Sequence, residues 1–437
     1  MKKLKEIDLS KLILLYIAVN PVFDMMYTLF ADFSGMGDYG AFAPNQIFRI
    51  LFIVLLLLNI KKIRDFFMLV IIGVYLLITL MIQNYLGYTL SVLTNINLIG
   101  KVIYFVATLI VISKLLQMNI LSEKKLIKSL TVSAVIISVS ILISPFGLGY
   151  KGYDYIFSFR GLFGYANFVS GCLLGILPIL MYLYKGRIRV VLILMDYVSL
   201  LLLGSKASVV GGTGIIVIML CYCLKYELSI SLRALLKQKK IRIIFSVIIS
   251  CLAGVMGIYL SKQIQYFIDS QYSVINFLTS HRVLQTEYAA EFISKLEKGK
   301  ALTILFGLGS SKVAQILNER IASFYTIEQD YNGIMFYFGV IAFLMLCIYT
   351  IKIIYMIWQL LKKNCQKNFP FALSFIVMLF QSILVGHVIY VPLASVYFAA
   401  VISIITNHYL EISQKKTENQ RFSKYKKILL RGKQKGE

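Results

Sequence analysis

The sequence predicts an all-α membrane protein that crosses the bilayer about twelve times. Three observations carry that prediction. Hydrophobic residues make up 59% of the 437-residue chain and charged residues 15%, where soluble domains hold about 45–50% and about 25%. The mean hydropathy of the whole chain is +0.79, more than a single anchor segment produces. The net charge of +25 falls mainly on alternate connections between apolar runs, as the positive-inside rule requires. Together these exclude an ordinary soluble enzyme, a disordered chain and a disulfide-rich secreted module.

Runs long enough to cross the bilayer lie near 9–30, 44–60, 66–84, 97–116, 129–144, 166–184, 190–204, 207–224, 243–260, 331–357, 369–389 and 391–408. The first has no small-residue cleavage site after it and is expected to stay as a span. The seventh is short, and Gly204-Ser205-Lys206 sets it in a tight hairpin with the eighth. The charges order these runs. The N-terminus, 61–64, 124–128, 185–189, 225–242, 362–363 and the tail from Lys415 hold most of the 45 basic residues but fewer than half of the 20 acids. Both termini are therefore expected in the cytoplasm. The excess charge is a topology signal that needs no nucleic-acid partner, although the basic tail can also touch anionic membrane lipid.

The expected divisions are an N-terminal bundle of about nine helices (1–260), an extracytoplasmic helical loop (261–330), C-terminal helices (331–408) and a basic cytoplasmic tail (409–437). Four outward connections follow: 31–43, 145–165, 204–208 and 261–330. Within the last, Leu284, Tyr288, Phe292 and Leu296 recur every fourth residue and predict an amphipathic helix over 281–298, lying on the membrane surface. Gly307 and Gly309 predict a turn. Ser310 or Ser311 is the expected cap of a second helix, with Val313, Ile316, Leu317 and Ile321 as its apolar face.

Chemistry has to come from the outward polar groups. Six cysteines without a CxxC pair, and three histidines in the chain, do not suggest a metal centre. Basic residues are sparse on the outward side. Arg160 and Lys206 stand in short outward connections, His281 and Arg282 begin the surface helix, and Glu328-Gln329-Asp330 precede the tenth span. Arg and Lys near a membrane surface hold pyrophosphate by charge-assisted hydrogen bonds, and a neighbouring carboxylate takes a proton from an attacking hydroxyl. Each residue also has a plain structural role open to it. Arg160 anchors a loop, Lys206 snorkels, Glu328 pairs with Arg282 or Arg320, Asp330 caps the tenth span, and Gly307-Leu308-Gly309 is only a turn. His387, in Gly386-His387-Val388, is a packed or interfacial histidine. Within the bilayer, Asp24, Arg49, Lys101 and Asp196 either form packing salt bridges or line a hydrated path.

Four stretches in order give a family likeness. Phe159 to Asn167 is similar to an arginine- and glycine-bearing approach to a helix. Leu203-Gly204-Ser205-Lys206-Ala207-Ser208 is similar to an S-[RK] turn. His281-Arg282-Val283-Leu284 with Leu305-Phe306-Gly307-Leu308-Gly309 is similar to the arginine and G-x-G of a large external loop. Glu328-Gln329-Asp330-Tyr331 with Tyr337 to Ala342 is similar to the helix that follows that loop. In these the chain resembles the superfamily of bacterial membrane glycosyltransferases that includes the O-antigen ligases and the Wzy-type O-antigen, capsule and exopolysaccharide polymerases. The resemblance implies a GT-C-like fold and an undecaprenyl-pyrophosphate-linked glycan as donor, used at the outer face of the cell membrane without cofactor or metal.

It also implies roles. Lys206 and Arg282, with Arg160 in support, bind the donor pyrophosphate. Glu328 is the first choice of proton acceptor and Asp330 the second, with His281, His387, Gly307 and Gly309 as supporting residues. The ligases carry a histidine where the large loop re-enters the membrane. Here that place holds Glu328-Gln329-Asp330, which favours a polymerase of lipid-linked repeats. The partners implied are a lipid-linked glycan acceptor, a flippase and a chain-length regulator. Two other readings stand beside it: a ligase passing finished glycan to a cell-surface acceptor, and a lipid-linked oligosaccharide flippase or other transporter.

Overall fold

In a bilayer every backbone N–H and C=O needs a partner within the protein, and long helices meet that need inside one segment. The computed structural model describes residues 9–34, 44–60, 63–152, 158–226, 282–320 and 326–433, with four single positions between 254 and 265. Helices α1 (Leu9–Ser34), α2 (Pro44–Leu58), α3 (Ile63–Tyr85), α4 (Val92–Gln117) and α5 (Glu123–Ile143) come first. A small antiparallel hairpin, β1 (Tyr150–Lys151) with β2 (Phe159–Gly161), precedes α6 (Ala166–Leu183), α7 (Gly186–Leu203) and α8 (Lys206–Tyr226). Three short helices follow: α9 (Arg282–Ser294), α10 (Lys300–Phe306) and α11 (Gly309–Arg320). The chain then runs through α12 (Asp330–Lys363), α13 (Cys365–Phe380) with a π-turn at Gln381–Val385, and α14 (Pro392–Lys433).

Among the described residues nine helices are long and apolar enough to cross a membrane: α1, α3, α4, α5, α6, α8, α12, α13 and α14. Each coincides with an expected run, and the protein is an all-α polytopic membrane protein. The second expected run is α2, which has only 15 residues. The seventh is α7, 18 residues that carry Arg187, Arg189 and Asp196. The ninth, 243–260, lies almost wholly outside the described residues.

Burial separates centre from rim. Of the spanning residues, 78% are buried in α6 and in α14, against 17% in α3. Helix α14 runs along α4, α1 along α5, and α6 touches α5, α7, α8, α13 and α14. Lipid tails give little hydrophobic drive for helix association, so close contact between small residues matters. Gly175 of α6 supplies it: a Cβ there would lie 2.5 Å from Met378 Sδ on α13, and Ser374 Oγ donates to the Gly175 carbonyl. Near the opposite rim, Ile50, Leu51, Ile71 and Met81 of α2 and α3 are exposed, as a lipid-facing surface demands.

The interior charges are mostly paired. Arg49 meets Asp24 at 2.5 Å, and Asn45 Nδ2 donates to the same carboxylate. Lys114 meets Asp65 at 3.4 Å. His408 ties α14 to α13 and α5 through Asn368 (2.9 Å) and Glu123 (2.8 Å). Asp196 differs. It is buried, and neither carboxyl oxygen has a hydrogen-bond partner among the described residues. A polar group buried without partners costs about 1–3 kcal/mol. Asp196→Leu should therefore raise the thermal midpoint of the detergent-purified protein, and a lowered midpoint would contradict the assignment.

Helix α9 departs from the expected amphipathic helix over 281–298. Its deeply buried side is Arg282, Gln285 and Ala289 rather than the apolar stripe. Tyr288 and Phe292 are half-buried beneath cations of α11, with Arg320 over one ring at 5.8 Å and Lys312 over the other at 5.0 Å. A periodic pattern shows where an apolar stripe lies but not which neighbour will cover it.

Candidate functional site

The buried polar side of α9 gathers the segment that leads into α12. Arg282 Nη2 meets Glu328 Oε2 at 2.5 Å. One turn along the helix, Gln285 Oε1 accepts from the Glu328 backbone N–H at 3.0 Å. Positions i and i+3 share a helix face, so α9 holds Glu328 by both backbone and side chain. The segment is held from the other side by Tyr337 of α12, whose hydroxyl accepts from Ile327 N at 2.7 Å.

The turn between α13 and α14 closes over the same carboxylate. His387 Nε2 lies 3.6 Å from Glu328 Oε2, and His387 has a left-handed backbone (φ 63°). Gly386 before it has φ 84°, and a Cβ there would fall 1.6 Å from the Glu328 carbonyl oxygen. Only glycine fits that approach. Asp330 fastens the turn. It is fully buried, and its Oδ2 accepts from Ser382 Oγ (2.7 Å), Val388 N (2.9 Å) and Ile389 N (3.1 Å).

This corrects one expectation for Asp330: it does not cap α12, whose N-cap is Gln329 without a side-chain cap bond. Its Oδ2 is taken by three donors, while its Oδ1 has no hydrogen-bond partner among the described residues. It positions the loop that carries His387.

Electrostatics sets the state of Glu328. Burial by itself would raise its carboxyl, but His387 and Arg282 together outweigh burial and hold it below its ordinary value of 4.5. A carboxyl depressed on folding gives stability that is present above the unfolded value and lost as pH falls through the folded one. The gap in thermal midpoint between wild type and Glu328→Gln should thus be widest near neutral pH and close below about pH 4.5. A gap of constant size down to about pH 3 would contradict the pairing.

Lys206 is delivered by a two-residue turn. Gly204 ends α7 with φ 65°, and Ser205 caps α8, its Oγ accepting from Ser208 N at 3.1 Å. Lys206 thus opens α8, where the charge of Arg282 acts on it. The β1–β2 hairpin sits on this turn, with Ser158 Oγ donating to the Leu203 carbonyl at 3.0 Å. Arg160, two residues on, donates to the Gly164 carbonyl and lies 5.5 Å from the Tyr150 ring centroid. These contacts lie within its own connection and anchor the loop.

At Gly307 two backbones cross closely. Helix α12 kinks at Gly339 (φ 85°), where a Cβ would lie 2.0 Å from the Leu305 carbonyl oxygen; one on Gly307 would lie 2.5 Å from the Tyr337 carbonyl carbon. The kink leaves three carbonyls outside the helical ladder, and all find donors. Phe336 O accepts from Leu308 N, Tyr337 O from Gln83 Nε2 and Phe338 O from Tyr75 Oη, each at 2.7 Å. The start of α11 is capped by Asn95 of α4, which accepts from Ser310 Oγ (2.8 Å) and Ser311 N (3.0 Å). The expected serine cap of α11 is thereby replaced by Asn95, and the expected turn at Gly307 forms a junction with α12. Val313, Ile316 and Leu317 are buried as expected, while Ile321 and His281 lie outside the described residues.

The site is thus Arg282, Glu328 and His387 in contact, with Lys206 within reach of Arg282's charge. Gln285, Ser382, Gly386 and Tyr337 build it and were not anticipated as site residues. Gln285 stands one turn from Arg282, and Tyr337 and Gly386 lie in stretches already singled out by sequence. Among the described residues no group of three His, Cys, Asp or Glu side chains is placed to hold a metal. No protein-family model matches the chain, and no curated protein matches it.

Proposed function

We propose that the chain is a GT-C-like membrane glycosyltransferase with twelve spans, both termini in the cytoplasm and its site at the outer face of the cell membrane. It polymerises oligosaccharide repeats carried on undecaprenyl pyrophosphate. The observation that supports this reading is a half-buried carboxylate gripped by an arginine and a histidine, with the charge of that arginine also acting on the helix-opening Lys206.

In the reaction, a sugar hydroxyl on the acceptor attacks the anomeric carbon of the donor glycan. The new C–O bond forms as the bond to pyrophosphate breaks, and that electron pair leaves with the pyrophosphate. The anomeric configuration inverts. Arg282 and Lys206 stabilise the charge that develops on the leaving group. The hydroxyl proton passes to Glu328. In the resting site Arg282 and His387 hold Glu328 ionised. An incoming pyrophosphate competes for Arg282 and leaves the carboxylate a stronger proton acceptor just when one is needed. Asp330 and Gln285 hold the two sides of the site in register.

The accumulated intermediate tests the assignment. Deleting the gene should leave single lipid-linked repeats. Long lipid-linked polymer would instead identify a ligase, and repeats retained on the cytoplasmic leaflet would identify a flippase.

A further inference from the structure

A cleft opens between α2 and α4, beside the first residue of α14. Its volume is about 180 Å³. Gln46, Arg49, Asn97 and Lys101 supply its polar lining, and Ile50, Leu93 and Ile96 on its walls are each at least half exposed. Such apolar exposure at the rim of a membrane bundle is where acyl chains lie.

We propose that this cleft binds the phosphate headgroup of an anionic membrane lipid. Three features favour an anion there. Two cations, Arg49 and Lys101, line it; Asp24 takes up one N–H of Arg49, and a guanidinium carries five. The helices present the same end. Gln46 is in the first turn of α2, Leu93 in the first turn of α4, and Pro392 is the first residue of α14, so three positive dipole ends face one opening. The depth also suits a headgroup with its first methylenes. Arg49 lies about 8 Å and Lys101 about 13 Å from the starts of their helices at 1.5 Å per residue, while apolar side chains flank them on the lipid side. An acyl chain entering between Ile50 and Ile96 brings its phosphate to the cations without leaving the bilayer. This site does not depend on the reaction proposed above.

Gly100 offers a clean test. It lines the cleft, its backbone is not left-handed, and a Cβ built there meets nothing within 4 Å. Gly100→Leu therefore fills the cleft without strain at its first atom, and Gly100→Ala leaves most of it open. The full-length protein, delipidated in detergent, is titrated with phosphatidylglycerol, with phosphatidylcholine of the same chains and with inorganic phosphate, and the thermal midpoint is followed. Phosphatidylglycerol should stabilise wild type and Gly100→Ala alike. The concentration giving half the shift should rise about tenfold in Gly100→Leu and in Lys101→Gln, the loss expected for one charge-assisted contact. If Gly100→Leu does not fold, Lys101→Gln decides. An unchanged phosphatidylglycerol response in the folded variants would overturn the proposal, as would an equal response of wild type to phosphatidylcholine. Inorganic phosphate reproducing the full shift would overturn the lipid as occupant.

Discussion

Arg282→Ala should abolish chain extension and lower thermal stability at once. The two losses have separate causes. In the proposed reaction the guanidinium faces the leaving pyrophosphate, and removing one preorganised donor of this kind costs about 10²–10³ in rate. In the resting protein the same side chain neutralises Glu328, and its own side chain is 9% exposed. Breaking a buried pair from one side costs about 3–5 kcal/mol. Because 21% of the Glu328 side chain reaches solvent, about 2–3 kcal/mol is the better expectation here. The double variant Arg282→Ala/Glu328→Gln distinguishes the causes. It should recover much of the thermal midpoint, since no carboxylate is left uncompensated, and it should remain inactive. Arg282→Lys keeps the charge but not the planar fork and should fall between. Glycan ladders and thermal midpoints at matched expression measure both. A double variant that regained activity would show that Arg282 serves folding alone.

Gly386→Ala should cost about 3 kcal/mol or more and should also remove activity. The methyl group would stand 1.6 Å from the Glu328 carbonyl oxygen on a backbone with φ 84°. The neighbour is main chain, so no rotamer change relieves the contact. The segment bearing Glu328 must shift, and the turn fastened by Asp330 must shift with it. Gly147 gives the matching control. It has nearly the same φ, 85°, but a Cβ there meets nothing within 4 Å. Gly147→Ala should cost only the left-handed strain, about 1 kcal/mol, and keep full activity. Thermal unfolding of both variants reads the difference. Equal, small losses would mean that Gly386 does not register the loop against Glu328.

The spans were legible because a bilayer imposes length and apolarity on every crossing helix. Eleven of the twelve expected runs reappear as helices, nine of them long and apolar enough to cross; α2 is too short, and α7 carries three charges in its 18 residues. Arg282 with Glu328 was readable as a pair of opposite charges in one outward loop, and Arg49 with Asp24 as two costly charges that need each other. What sequence could not supply was the partner across space. Gly307 and Gly339 look alike in sequence whether they bind a ligand or admit a neighbouring backbone, and only the approach of the Tyr337 and Leu305 main chain shows the second. Asp330 stands where a cap would stand, yet its donors come from a turn over 50 residues later. Arg160 carries the right charge in a suggestive stretch, but Gly164 and Tyr150 claim it locally.

The central claim is that Arg282 and Lys206 grip a departing diphosphate while Glu328 receives the proton. Turnover of a defined polyprenyl-pyrophosphate-linked oligosaccharide by the purified protein tests it most directly, with lengthened glycan and released polyprenyl pyrophosphate both quantified. Wild type should form the two products in equal amounts, and Arg282→Ala, Lys206→Ala and Glu328→Gln, each shown to be folded, should form neither at a comparable rate. Wild-type rates from all three would contradict the account.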